Sequence, residues 1–216
     1  MQRITIILLF IIMFSFDVLV AEAGNRKSRE ESIPNSQMKQ ILIIGLNDNI
    51  KSNYFYKDMI AEQLKINGDS LNSEYNNVIA DNISATSTNG KYQFVDKLPL
   101  QDHPIVSKIK MEGNDEESYS NLSSLPTSDL QEMLNNTGAD YLLVINQHYL
   151  KWQETPLRTI FHIVSYSLFD KTKKEICRGN NYFTYMTLQN GEQIKKNSRK
   201  CSSKIADSIS KALEKD

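Results

Sequence analysis

The sequence predicts an α/β fold: a mixed β-sheet in which parallel crossover strands are followed by an antiparallel three-stranded meander, with helices packed on the sheet. Three observations carry that expectation. Ile41-Leu42-Ile43-Ile44-Gly45-Leu46 is apolar on both parities, the pattern of a strand covered on both faces. Runs with helical spacing separate it from the next strand, and a crossover helix requires the strands it joins to be parallel. Residues 140–185 then hold three long β-patterned runs divided by short polar turns, as antiparallel neighbours are.

The elements follow in chain order. Residues 1–23 read as a secretory signal peptide: Arg3 leads an uncharged, apolar run from Ile4 to Phe16, and Ala21-Glu22-Ala23 precedes Gly24 as a cleavage pattern. That run is too short to cross a bilayer, which takes roughly 20 residues. No Cys borders the cleavage site, so the expected product is soluble, secreted or periplasmic, and not a lipoprotein. Residues 24–38 are polar and charged, a flexible lead. Residues 39–216 show no linker and no repeat, and read as a single α/β domain.

Within that domain, 54–66 has a short stripe of Met59, Ile60 and Leu64. Leu71 to Ala85 is a better helix, with Ser70 placed to cap it and Tyr75, Val78, Ile79, Asn82 and Ile83 at helical spacing. Asn89-Gly90 ends it, and Tyr92–Val95 reads as a strand. Residues 97–126, with two prolines and an acidic stretch, read as a long, partly mobile excursion. Ser128-Asp129-Leu130-Gln131 is a capping-box pattern opening a helix that stops at Gly138. The meander strands are Asp140–Trp152, Arg158–Phe169 and Lys174–Tyr185. A helix from Glu192 to Leu213, with Ile194, Cys201, Ile205, Ile209 and Ala212 on one stripe, closes the chain.

The charge balance narrows the function. Lys and Arg number 25 against 26 Asp and Glu, a net charge of −1, and loss of residues 1–23 leaves 24 of each sign. Nucleic-acid and anionic-membrane binders need a basic excess, so neutrality argues against both. No G-x-S-x-G elbow, phosphate loop, C-x-x-C or calcium-loop spacing occurs, and no cofactor is implied.

The layout resembles the α/β unit of the CsgG-type curli-secretion lipoproteins and the TolB amino-terminal domain. The residues that carry the resemblance are ILIIGL at 41–46, the helix that runs into NGKYQFVD at 89–96, and TGADYLLVINQ at 137–147. The similarity spans roughly residues 40–213. It implies assembly or partner binding in the cell envelope and supplies no catalytic residues. The chain departs from that group in lacking its lipidated Cys.

Four residue groups are candidate sites. A meander turn centred on Thr155 pairs His148 with His162, Leu150 with Ile160, Asn146 with Val164 and Val144 with Tyr166. Two opposed imidazoles are metal-ligand chemistry, although a catalytic zinc normally takes three protein ligands. Asn47, Asp48 and Asn49 follow the first strand, where open α/β sheets place ligands and where turn chemistry also puts Asn and Asp. Cys177 and Cys201 either form a disulfide in an oxidising compartment or remain two buried thiols. Tyr149, Trp152 and Tyr166 make an aromatic zone suited to an interface. The expected function is therefore a secreted or periplasmic non-enzymatic protein that binds a protein partner or itself in the envelope. The alternatives are a metal-assisted hydrolase built on the two histidines and a small-ligand carrier using the 45–49 loop.

Overall fold

The computed structural model describes residues 38–86, 88, 90–96 and 103–215. The predicted signal peptide and nearly all of the polar lead lie outside them. The fold is α/β, built on a mixed sheet with helices on one face and a helix plus a hairpin on the other.

Strand β1 (Lys39–Gly45) is an inner strand of the sheet. It pairs in parallel with β3 (Tyr92–Asp96) on one side and with β6 (Tyr141–Gln153) on the other. Strands β7 (Thr159–Asp170) and β8 (Glu175–Tyr185) continue the sheet antiparallel from β6, giving the order β3-β1-β6-β7-β8. A short strand β2 (Ile50–Ser52), absent from the sequence reading, also pairs in parallel with β6. Helices α1 (Lys57–Leu64) and α2 (Leu71–Ser84) cross over from β2 to β3.

Both faces of the central strands are sealed, as the unbroken apolar run of β1 requires. On one face Ile41, Ile43, Leu143, Ile145 and Val164 pack under α2 and the closing helix α4 (Gly191–Leu213). On the other, Leu42, Ile44, Leu142, Val144 and Phe169 pack under α3 (Thr127–Thr137) and the segment before it. That segment is not wholly irregular. Part of the predicted excursion folds as a hairpin of β4 (Lys110–Gly113) and β5 (Ser118–Asn121), which the short alternation of these strands had hidden.

Two predicted caps are replaced. Ser70 adopts helical backbone angles and caps nothing; a 3-10 turn, Gly68–Ser70, leads into α2, with the Asn67 side chain accepting from the Asp69 amide. Ser128 lies inside α3, which starts one residue earlier after Pro126. Gly138 does end α3, at φ 72°. The capping box belongs to α4, where the Asn190 side chain accepts from the Gln193 amide and the Gln193 side chain accepts from the Asn190 amide.

Candidate functional site

Much of the buried polar chemistry of the described residues is gathered at one level of the sheet, where two neighbouring strands break step together. Gly45 pairs with Ile145 and Ile50 with His148, so the four residues Leu46–Asn49 stand against only Asn146 and Gln147. On its other side, β6 bulges against β7 at the same point. The bulge turns the upper half of β6 over, so that His148, Leu150 and Trp152 face α2 rather than the hairpin.

On the α2 face the hub is Asn76. Its Nδ2 donates to the Leu46 carbonyl at 3.1 Å, and its Oδ1 accepts from Asn49 Nδ2 at 2.9 Å and faces His148 Nε2 at 2.9 Å. An oxygen in that position accepts, so His148 carries its proton on Nε2. Burial holds the His148 ring neutral, pulling its pKa down to about 3, and nearby His162 acts in the same direction. Gly45 is required here, because a Cβ would fall 2.1 Å from Asn76 Cγ.

His162 lies beside this network, 3 % exposed, and among the described residues neither ring nitrogen has a hydrogen-bond partner. Its ring is nearly parallel to Phe183, with centroids 4.6 Å apart, and to Tyr75 at 6.5 Å. Burial lowers its pKa to about 4 and raises that of Tyr75. A cavity of about 10 Å³, lined in part by Tyr75, Ile79, His148, His162 and Phe183, separates these groups.

On the hairpin face the hub is Asn146, fully buried. It donates from Nδ2 to the Ser118 carbonyl and to Ser167 Oγ, each at 3.0 Å, and accepts from Ser120 Oγ at 2.6 Å. Gln147 donates to the Asp115 carbonyl at 2.9 Å, and Asn180 on β8 donates to the Glu116 carbonyl at 2.9 Å. These bonds strap the hairpin tip to the sheet.

The structure redistributes the predicted site residues. His148 and His162 share a face but are not opposed: His148 pairs with Val164, His162 with Leu150, and Trp152 with Ile160. The turn is centred on Pro156 rather than Thr155, and the bulge shifts the lower half again, so Val144 meets Ser167 and Ile145 meets Tyr166. Among the described residues no group of three His, Cys, Asp or Glu comes together around a common point. In the 47–49 loop, Asn47 and Asp48 are exposed, Asp48 ion-pairs with Lys57, and Asn49 is wholly internal.

The two cysteines are free thiols. Burial pushes Cys177 up to about 11 and Cys201 up to about 12, so both stay protonated. The predicted interface is also corrected. Tyr149 and Tyr166 are buried and present no surface. Tyr149 lies close to the hairpin-tip carboxylates, and Tyr166 reaches Ser208 of α4. Trp152 instead joins a cluster missed in the sequence: it stacks on Tyr54 at 5.5 Å and meets Phe55 edge-on at 5.9 Å. Tyr54 is 59 % exposed and Tyr56 78 %. Asn53 fixes the cluster by donating to the Trp152 carbonyl at 3.0 Å and accepting from its amide at 2.7 Å, in place of a strand partner.

No protein family's sequence pattern matches this chain, and no curated protein matches it either. Solved structures do. A PelC dodecamer from Paraburkholderia phytofirmans is similar at 7 % identity and TM-score 0.37, over 78 % of this chain and 86 % of that one. The hypothetical protein CT253 from Chlamydia trachomatis gives 8 % and 0.41, over 82 % and 99 %. The lipoprotein GNA1162 from Neisseria meningitidis gives 11 % and 0.35, over 82 % and 96 %. At such values the likenesses carry no argument about function. Among the described residues, no helix is long and apolar enough to cross a membrane.

Proposed function

We propose that the chain is an exported, non-enzymatic protein of the cell envelope that works by binding another protein. The observation that carries this reading is the exposed aromatic cluster at the β6–β7 end of the sheet. Tyr54 and Trp152 are stacked, and among the described residues Tyr56 is the most exposed of the large apolar side chains. Met59 on α1 and Leu157 in the β6–β7 connection are also exposed nearby in sequence. Exposed aromatics held on rigid backbone are the anchors protein interfaces favour, because they bury large area at little entropic cost. The imidazoles support the same reading, since His148 and His162 are sealed from solvent and Asn76 engages the first of them.

The test places a photo-crosslinking residue at Tyr56 in the expressing cell, with Lys110 as the control position. One discrete adduct is expected from position 56 and none from 110. The adduct should vanish with Tyr54→Ser and Trp152→Ser in the same chain. An adduct of twice the chain's mass identifies a second copy as the partner. Equal labelling from both positions, or none from position 56, overturns the proposal.

A further inference from the structure

The net charge of −1 conceals a segregation of charge on α4. Between residues 195 and 204 this helix carries Lys195, Lys196, Arg199, Lys200 and Lys204, and no acid. All five are exposed. Among the described residues Lys195 pairs with Asp81 of α2 at 3.2 Å. Among the described residues the other four make no ion pair, and the helix's own acids Glu192 and Asp207 lie outside the stretch. These cations extend over roughly 14 Å of helix axis.

The opposite face of α4 is committed to the core through Ile194, Ser198, Cys201, Ser202 and Ile205. Asn82 of α2 locks the same turns by donating to the Lys195 carbonyl and to Ser198 Oγ, both at 2.8 Å. The helix therefore cannot roll to neutralise its cations or expose apolar side chains. Beside the row runs a shallow groove between α2 and α4, lined by Asp81, Thr86, Lys195, Arg199 and Ser203. Cations with hydroxyl groups beside them are the contacts that phosphate oxygens take.

From this geometry we infer that the outer face of α4 docks on an anionic phospholipid surface, with headgroup phosphates meeting Lys196, Arg199, Lys200 and Lys204. The contact is electrostatic and peripheral, since the apolar stripe of α4 is already used inside the fold. A local row of cations suffices for this, because a surface potential acts on the face presented to it rather than on the net charge of the chain. The inference stands apart from the aromatic cluster at the end of the sheet.

The test is co-sedimentation of the protein, as isolated from expressing cells, with phosphatidylcholine vesicles containing or lacking about one-third phosphatidylglycerol. Binding is expected only to the anionic vesicles at about 50 mM salt and is expected to fade at about 300 mM, where screening is stronger. Lys196→Gln, Lys200→Gln and Lys204→Gln together should weaken it about a hundredfold, at the typical worth of a cation near such a surface. Lys65→Gln with Lys110→Gln, which lie outside α4, should leave it unchanged. Both variants carry the wild-type amino terminus, so any apolar insertion there contributes equally. Equal binding to neutral vesicles, or an undiminished triple variant, overturns the inference. So does a protein that ignores vesicles but binds heparin or duplex DNA in a salt-dependent way.

Discussion

Asn76 touches three backbone or side-chain groups that would otherwise be stranded inside the protein: the Leu46 carbonyl, the Asn49 amide and the His148 ring. Asn76→Leu should therefore cost about 3 kcal/mol in urea unfolding, the toll of several buried polar groups losing their partner. Gly45→Ala should cost about 3 kcal/mol, because its methyl group meets an amide pinned on both of its polar atoms. The histidines supply a pH signature. Each has a folded pKa below its ordinary value, so the unfolded chain takes up protons that the fold refuses. Stability is then full above about pH 6.5 and falls by about 1.4 kcal/mol per pH unit for each histidine as the pH drops towards their folded pKa values. His162→Phe keeps the stacking on Phe183 and removes an unpartnered buried imidazole. It should hold or raise stability at pH 7 and roughly halve the slope between pH 6 and 4.5. An unchanged slope would show that His162 is hydrated in solution. At this scale the sequence was only partly legible. Gly45 stood in the sequence only near the end of an apolar run, and nothing local to Asn76 distinguishes it from a solvated helix residue.

Elements were read more faithfully than residues where a long period existed. β6, β7, β8 and α4 stand within one residue or two of their predicted bounds, because eleven or more residues of consistent pattern outweigh any single one. The β4–β5 hairpin and β2 were not legible, since strands of three or four residues carry too little alternation to stand out. Caps failed for a related reason: Ser70 and Ser128 match the pattern, but neighbouring backbone decides which residue leaves the helix. The cap that is present should matter. Asn190→Ala removes the acceptor for the Gln193 amide and should lower stability by about 1 kcal/mol, seen as a shift in urea midpoint at constant slope. Thiol titration of the unfolded, unreduced protein should count two free cysteines. Finding none would mean that Cys177 and Cys201 join in a disulfide.

For the molecule as a whole, topology was legible and surface was not. Parallel pairing of β1 with its neighbours follows from the crossover helices, and the meander follows from its short turns. Which aromatics face outward depends on the bulge beside Asn146, and a single residue out of step reverses the outlook of every residue beyond it. Tyr149 and Tyr166 lie in the interior because the sheet is covered on both faces there, while Tyr54, Tyr56 and Tyr182 are exposed. Charge shows the same separation between sum and arrangement, with five cations on one stretch of α4 inside a nearly neutral chain.

The coincident breaks at Leu46–Asn49 and Asn146 give the sheet a waist. Above and below it, amide protons are held in regular ladders; across it, side-chain amides replace part of the ladder. Deuterium from solvent should enter at Asn49, Asn146 and Gln147 before it reaches Leu42 or Leu143, and the upper ribbon carrying Trp152 should be able to tilt on the lower sheet without either half unfolding.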